Sequence, residues 1–412
     1  MKLKLASLLI VASLGVFALT IDVYPGGSIQ AAVNSASAGD TVRVFAGNYA
    51  ERVMVNKAVT LLAVGTAETD GFTITASGAT VTGFTIEAVA DNSINGVGIY
   101  VNANDCKVLN NTIRNTARGG IFLQHTISGC VISGNKIGGN VSQYGIAVRG
   151  TGHLVEGNEI FDIRQRSQYW LNPPNYRDAD GMRVHGANHI IRNNYIHGIL
   201  YGGDNVDAHI DCFQSFNIPP YQPEMVNVLF EGNRCDNAQA LSGLTMAHGA
   251  MIEYGRGVTF RNNTIAGGVG LKFMYTTGVI VTENNVSGSL TIPASYTSDC
   301  MQFTNATASV TGNSCTDFST GAIRIQTSTV TGGQNTAVRA PILSGTIYLF
   351  VFPATPTASA TATWTPTPTN TATNTATITP SPTPTFTPTA TFTPLPNWYC
   401  TISPVEIHCF AP

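Results

Sequence analysis

Several motifs that mark common enzyme classes are absent from this sequence. It has no P-loop, no dinucleotide-binding glycine fingerprint and no G-x-S-x-G turn, so nothing indicates nucleotide chemistry or an α/β-hydrolase nucleophile. Its eight cysteines include no CxxC pair, so a structural zinc site is not expected. Amphipathic segments of helix length are also scarce, apart from the short "SIQAAVNSA".

Charge and long apolar runs are scarce as well. Only 11% of the residues are charged and the formal net charge is −3, so no basic field would attract nucleic acid or an anionic membrane. The one apolar run follows two lysines in "MKLKLASLLIVASLGVFALT" and reaches a small residue at Ala18. This pattern predicts a secretory signal over residues 1–20, too short for a membrane span. We therefore expect a secreted monomer without membrane insertion.

The C-terminal part differs in composition from the rest. Residues 346–397 are mainly Thr, Pro, Ala, Ser and Asn, a composition typical of a stiff, extended spacer. Residues 398–412 form a short tail in which Cys400 and Cys409 could close a hairpin. The expected folded domain is thus residues 21–345, and the spacer leaves a cell-surface association open.

A repeat of the form V/I-x-x-[G/N]-N-x-[I/V/C] runs through residues 96 to 330, as in "VLNNTI", "LVEGNEI" and "TFRNNTI". A repeat of this length predicts one coil of a β-solenoid, with loops inserted where the spacing is longer. One asparagine in each coil should stack on the next to form an inward, purely structural ladder. These asparagines are Asn111, Asn135, Asn158, Asn194, Asn233, Asn263, Asn284 and Asn313.

A second strand precedes each repeat, as in "GIYVN", "GIFLQ", "GIAVR" and "GMRVH". These strands alternate with period two, and the residues predicted to point inward are Ile99, Ile121, Ile146, Met182, Phe213 and Leu271. Together with the opening "GGSIQAAVNSASAGDTVRVFAGNYAERVMVNKAVTLLAVG", the pattern resembles right-handed parallel β-helix proteins of the pectin-lyase-like superfamily. The resemblance implies an all-β right-handed parallel β-helix with a short N-terminal capping helix.

The cysteines can be placed on this repeat. Cys106 and Cys130 hold the same position on adjacent coils, where they could form a bridge or merely stack. Two further pairs share a coil, and in each the second member replaces an inward isoleucine. These pairs are Cys212 with Cys235, and Cys300 with Cys315.

Outward residues of the second strands should form two columns, with neighbouring coils about 4.8 Å apart. The first column reads Tyr100, Phe122, Ala147, Arg183, Gln214, Met251, Lys272 and Gln302. The second reads Asn102, Gln124, Arg149, His185, Phe216, Glu253, Met274 and Thr304. Their polar middle predicts a substrate-binding face with Arg149, Gln214 and Glu253, on a spacing close to that of sugars in an extended polysaccharide. Alternatively, these residues are polar only because the face is solvated.

Aspartates gather beside that face. Aligning "DADGMRVH" with "HIDCFQSF" places Asp180 over Asp211 and Asp178 over His209, one coil apart. Two adjacent carboxylates cannot both stay ionised cheaply. A cation such as calcium held by Asp178, Asp180 and Asp211, a shared proton, or nearby Arg183 could neutralise them. Alternatively, the aspartates only bind their own turns.

A long inserted loop, "IRQRSQYWLNPPNYR", flanks the same coils. Its aromatic and guanidinium groups, at Tyr169, Trp170 and Arg177, would suit the sugar rings and carboxylates of an acidic polysaccharide. The same side chains could instead pack the loop onto the solenoid.

β-Elimination or C5-epimerisation of a uronate needs a cation at the carboxylate and groups that move protons. Arg183 could hold the carboxylate, and His209, His185 or Lys272 could transfer protons. "DAH" at residues 207–209 resembles the Asp-Pro-His element of β-helical mannuronan C5-epimerases, with Ala in place of Pro. That resemblance implies proton transfer by His209 and an orienting or substrate-binding role for Asp207. The rival interpretations are a non-catalytic glycan-binding or adhesive rod, and a glycoside hydrolase that uses Asp180 and Asp211.

Overall fold

Short strands that stack in register form most of the chain. The computed structural model describes residues 18–87, 96–164, 179–199, 209–217, 222–236, 246–266, 269–288, 299–318, 321–338, 399–402 and 407–410. By its contacts the chain divides into Met1–Tyr348 and Leu349–Pro412. The second unit contains an antiparallel hairpin in which Cys400 is paired in register with Cys409.

The first unit contains one helix, α1, over Ile29–Ser35. Strands β1 to β9 cover Thr20–Val23, Thr41–Val55, Thr60–Ile74, Thr80–Thr82, Thr85–Glu87, Val97–Val101, Lys107–Leu109, Thr112–Arg114 and Gly119–Leu123. Strands β10 to β20 cover Val131–Ser133, Lys136–Ile137, Val141–Ser142, Tyr144–Val148, Leu154–Glu156, Glu159–Phe161, Ile163–Arg164, Ala179–Val184, Gly186–Ala187, Ile190–Arg192 and Tyr195–His197. Strands β21 to β31 cover His209–Ser215, Met225–Val226, Leu229–Glu231, Arg234–Asp236, Met246–Glu253, Gly255–Arg256, Thr259–Arg261, Thr264–Ala266, Val269–Met274, Val279–Thr282 and Asn285–Ser287. Strands β32 to β39 cover Asp299–Thr304, Thr307–Thr311, Ser314–Thr316, Gly321–Gln326, Thr329–Gly333, Thr336–Val338, Tyr399–Ile402 and Ile407–Phe410.

Each coil contributes a strand to each of three parallel stacks, which confirms the predicted parallel β-helix. We call one stack the first face; it contains β6, β9, β13, β17, β21, β25, β29, β32 and β35. Its inward side chains, predicted from period-two alternation, are all fully buried. Helix α1 covers the start of the solenoid through Ile29 and Val33, and its N-cap Ser28 accepts a hydrogen bond from the Ala31 amide.

The predicted asparagine ladder is confirmed. From Asn111 to Asn313, each side-chain amide donates to the Oδ1 of the next asparagine at 2.9 to 3.0 Å. The ladder continues to Asn335, one coil beyond the predicted set. Each amide also donates to a backbone carbonyl, as Asn194 does to Val155. The interior polar groups of this corner are thus paired without water.

A second corner explains the disulfides. Where the first face begins, most coils have a glycine whose missing Cβ leaves room for a facing branched side chain. A Cβ on Gly145, for example, would lie 2.4 Å from Ile160 Cγ2. In two coils this glycine position is occupied by Cys212 or Cys300, and the residue that faces it is also a cysteine. Both same-coil pairs, Cys212–Cys235 and Cys300–Cys315, are disulfides, whereas Cys106 and Cys130 are buried free thiols.

At this corner, either glycine faces a branched residue or cysteine faces cysteine. This packing rule makes a prediction about Cys212 and Cys235. The double substitution Cys212→Gly, Cys235→Ile recreates the pair found in neighbouring coils, so we expect the native fold with a loss of about 3 kcal/mol from the missing cross-link. Cys212→Ile with Cys235→Ile should be far less stable, because two branched side chains would overfill the corner. Urea unfolding followed by circular dichroism compares them, and equal midpoints for the two variants would contradict the rule.

Candidate functional site

Four polar side chains stack at the start of the first face, on consecutive coils. Register pairs Tyr144 with Asp180, Asp180 with Asp211, and Asp211 with His248. The predicted placement of Asp180 over Asp211 is therefore correct, and all four side chains are buried. Asp178 lies outside the described residues, so its placement over His209 stays a prediction.

Each of the two buried aspartates has its own partner. The Arg183 Nε donates to Asp180 Oδ2 at 2.5 Å. The His248 Nδ1 lies 2.8 Å from Asp211 Oδ1, and the His248 backbone amide donates to the same oxygen. Of the ways of neutralising the pair that the sequence left open, pairing with Arg183 is observed for Asp180. Asp211 is instead hydrogen-bonded by His248. Burial lowers the pKa of His248 to about 3, so at neutral pH its ring supplies a hydrogen bond to Asp211 and no charge.

The described residues contain no group of three or more His, Cys, Asp or Glu side chains arranged to hold a metal ion. Asp178, one of the three predicted ligands, is not among the residues searched. Calcium binding by Asp178, Asp180 and Asp211 therefore stays a prediction.

Three arginines lie against aromatic rings on the coils before Asp211. The guanidinium carbon of Arg149 lies 4.4 Å from the Phe122 ring centre, and that of Arg118 lies 5.9 Å from the same ring. Arg183 lies 5.4 Å from the ring centre of Tyr144. The rings also pack on one another across successive coils. We call this group the arginine–aromatic cluster; it consists of Tyr100, Arg118, Phe122, Tyr144, Arg149 and Arg183.

The cluster carries more positive than negative charge. Arg183 is paired with Asp180, but neither Arg118 nor Arg149 forms an ion pair with any residue that the structure describes. Burial lowers the pKa of Arg149 to about 10, and the neighbouring guanidinium groups contribute to the shift. Arg149 is still cationic at neutral pH. Two half-buried cations with no carboxylate partner in the described part of the chain are a suitable site for an anion.

His185, a predicted proton-transfer residue, is fully buried next to this cluster. Its ring meets the edge of Phe216 at 4.8 Å between ring centres. Burial, together with the positive charges of Arg149 and Arg183, lowers the pKa of His185 to about 3. The imidazole is therefore neutral at physiological pH.

The remaining predicted residues lie farther along the same face or outside the described part. Gln214 is buried one coil beyond Arg183, and the half-buried Lys272 lies three coils beyond it, as the sequence predicted. Glu253 lies one coil before Met274 in the second column. Only the backbone of His209, at the start of β21, is described. Tyr169, Trp170, Arg177 and Asp207 lie outside the described residues.

Three residues of the site were not singled out from the sequence. Tyr144 and His248 occupy the strand position of Asp180 and Asp211, so extending that alignment by one coil in each direction would have identified both. Arg118 lies in the turn before β9, where its backbone amide donates to the Gly96 carbonyl. No repeated pattern marks that turn, so the sequence had no signal for Arg118.

The stability of the fold at acidic pH should depend on two buried histidines of this region, His185 and His189. The His189 Nδ1 accepts a hydrogen bond from the His153 amide, and its Nε2 contacts the His185 carbonyl. This arrangement requires a neutral ring. Burial lowers the pKa of His189 to about 4, compared with about 3 for His185 and 6.5 for an ordinary histidine.

Between these pKa values the unfolded chain binds more protons than the folded one, so stability decreases as the pH falls from 6.5 towards 4. We expect the melting temperature to drop over this interval. The decrease in melting temperature should be smaller in the variant His189→Val. A valine, Val228, already fills the equivalent buried position on the next coil, so the substitution should be tolerated. Thermal unfolding in a pH series measures both slopes, and parallel slopes would show that His189 does not titrate as described.

Comparisons with known proteins agree with the fold. A model of the family described as "Protein of unknown function (DUF1565)" matches residues 54–201, and no curated protein matches the sequence. No helix among the described residues is long and apolar enough to cross a membrane.

Several solved structures are similar over most of the solenoid. The A-module of a mannuronan C-5 epimerase from Azotobacter vinelandii is 13% identical with a TM-score of 0.54, covering 76% of this chain and 95% of that chain. An endopolygalacturonase I from Stereum purpureum, complexed with two galacturonate, is 14% identical with a TM-score of 0.50, covering 76% and 99%. A lacto-N-biosidase from Eubacterium ramulus is 10% identical with a TM-score of 0.54, covering 77% and 68%. At these identities the likeness establishes the fold, and this chain is a parallel β-helix protein.

Proposed function

We propose that this protein acts on an acidic, uronate-containing polysaccharide by removing the C5 proton of a uronate, in β-elimination or C5-epimerisation. The observation that carries the proposal is the arginine–aromatic cluster. Arg118 and Arg149, which have no ion-pair partner among the described residues, would together with Arg183 bind a carboxylate. The rings of the cluster offer apolar faces to sugar rings. Among the similar structures, the epimerase and the galacturonate-bound endopolygalacturonase have names that refer to uronates.

The cation requirement of this chemistry is met by the arginines. Removing the C5 proton places negative charge on the carboxylate as an enolate-like state forms, and fixed guanidinium groups stabilise that charge. Arg149 and Arg183 lie on adjacent coils, so one carboxylate can contact both. In this arrangement Arg183 also remains tied to Asp180.

Groups able to move protons lie on the coil of Arg149 and on coils beyond Arg183. The guanidinium of Arg183 lies against the Tyr144 ring, and the phenol hydroxyl of Tyr144 can both donate and accept a hydrogen bond. Asp211 orients His248 two coils beyond Arg183, through Nδ1. His209 and Lys272 remain the further candidates named from the sequence. We assign the proton transfers to this set as a whole.

We further propose that the protein is exported and acts outside the cell. The signal-like residues 1–20 suggest export, and the disulfides Cys212–Cys235 and Cys300–Cys315 are typical of proteins that mature in an oxidising compartment. The Thr/Pro-rich residues 346–397 would then act as a spacer, and association with the cell surface is part of this proposal.

The proposal is tested by ultraviolet absorbance while the full chain is incubated with alginate, polygalacturonate or a glycosaminoglycan. Rising absorbance from an unsaturated uronate identifies β-elimination and its substrate. A changed uronate composition without absorbance identifies epimerisation. Chelator in parallel samples tests calcium at Asp178, Asp180 and Asp211. Chain cleavage without unsaturation would favour the hydrolase, and binding without any reaction would favour the adhesive rod.

A further inference from the structure

Two tyrosines outside the cluster form an exposed stacked pair. Tyr254 follows strand β25 and Tyr275 follows strand β29, on adjacent coils. Their ring centres are 5.1 Å apart and the ring planes differ by 11°. The two residues are 39% and 50% exposed, respectively. The solenoid thus presents a large aromatic surface to solvent at the edge of the first face.

Both tyrosines have a backbone conformation that is unfavourable for a bulky residue. Their φ angles are 56° and 53°, in the left-handed region. The same corner is occupied by Gly150, Gly186 and Asn305 on other coils, and these are residue types that tolerate this region. Mutual stacking and partial burial offset part of the strain, but half-exposed rings gain less from burial than core residues do. Two adjacent strained corners that carry the same half-exposed aromatic residue suggest a functional reason for the two side chains.

The tyrosine pair lies next to the same column of outward residues that contains Arg149 of the arginine–aromatic cluster. Tyr254 and Tyr275 directly follow Glu253 and Met274, which belong to the second outward column with Arg149 and His185. Tyr254 is two coils beyond His185, roughly 10 Å along the solenoid, and Tyr275 is roughly 14 Å beyond it. A polysaccharide that extends along the first face from the cluster would pass this pair.

We propose that Tyr254 and Tyr275 form a second carbohydrate subsite. It would hold a pyranose ring of the same acidic polysaccharide, a few sugars away from the one whose carboxylate is bound at the cluster. The apolar face of the sugar packs against the aromatic surface, and the phenol hydroxyls bond to sugar hydroxyls. This inference rests on the proposed function, and it explains why two strained corners carry tyrosine.

The test compares uronate disaccharides and hexasaccharides, prepared from alginate, polygalacturonate and a glycosaminoglycan, by isothermal titration calorimetry. In the double variant Tyr254→Asn, Tyr275→Asn, asparagine adopts the left-handed corner as Asn305 does, so the melting temperature should be unchanged or higher. We expect hexasaccharide affinity to fall about tenfold, with disaccharide affinity unchanged. The control is Tyr24→Ala, which removes another exposed, stacked tyrosine near the start of the solenoid and should bind both oligosaccharides like wild type.

The outcomes separate the two proposals. If wild type binds hexasaccharide and the double variant binds it equally well, the subsite is refuted while the proposed function stands. Equal losses for disaccharide and hexasaccharide would mean that the tyrosines act only through the fold, which also overturns the subsite. If wild type binds neither oligosaccharide from any of the three sources, the proposed function fails and the subsite fails with it.

Discussion

Replacing Arg149 with glutamine is expected to lower kcat/KM on the acidic polysaccharide by about a hundredfold, the usual cost of removing one fixed donor from a developing oxyanion. Arg149 is chosen because, unlike Arg183, it has no ion-pair partner within the described ranges, and because in the proposed site it lies on the coil next to Arg183. Its removal relieves a desolvated cation without leaving a buried carboxylate behind. The melting temperature should therefore stay the same or rise while activity falls.

Two further variants show whether such a loss is specific. Arg183→Gln should lower both activity and stability, because it breaks the pair with the fully buried Asp180. Arg234→Gln removes an exposed arginine paired with Asp236 on another stack of the solenoid and should change neither. Turnover and thermal unfolding are measured on all three. Full activity in Arg149→Gln would remove this residue from the proposed site.

Replacing Asn194 with alanine is expected to lower the free energy of unfolding by roughly 4 kcal/mol, because several buried groups lose their partners at once. The Asn194 Oδ1 accepts from both the backbone amide and the side-chain amide of Asn158. Its Nδ2 donates to the Val155 carbonyl and to Asn233 Oδ1. Urea unfolding followed by circular dichroism measures the loss.

The matched control is the same substitution at the end of the ladder. Asn335 accepts two hydrogen bonds from Asn313 and donates one to the Val310 carbonyl, but it is only partly buried. Water can replace these bonds, so Asn335→Ala should cost roughly 1 kcal/mol. Similar losses at both positions would show that burial of the ladder is not the source of its stability.

The sequence allowed prediction of those parts of the fold that repeat once per coil. Asparagines recur at one corner because side-chain amides can bond to each other indefinitely along the axis, and this produces an unmistakable spacing. Inward and outward columns follow from period-two alternation, so the sequence alone predicts Arg183 beside Gln214, and the register agrees. Two same-coil cysteine pairs were likewise placed because Cys235 and Cys315 interrupt a column of branched residues.

The arrangement within the site could not be predicted in the same way, because it depends on side-chain contacts that do not repeat. The alignment placed Asp180 over Asp211, but nothing in the spacing indicated that Arg183 would pair with one and His248 with the other. Arg118 comes from a turn outside the repeats. The left-handed corners at Tyr254 and Tyr275 also gave no signal, since tyrosine is an unusual residue there.

The central claim is that the protein removes the C5 proton of a uronate, and solvent exchange tests it most directly. Proton NMR would follow alginate, polygalacturonate and a glycosaminoglycan incubated with the full chain in deuterium oxide. β-Elimination abolishes the H5 signal, and epimerisation replaces H5 with deuterium. The account therefore predicts loss of H5 on one of these polymers, and a loss about a hundredfold slower with Arg149→Gln. Retention of H5 while the wild-type protein shortens or binds the polymer would contradict it.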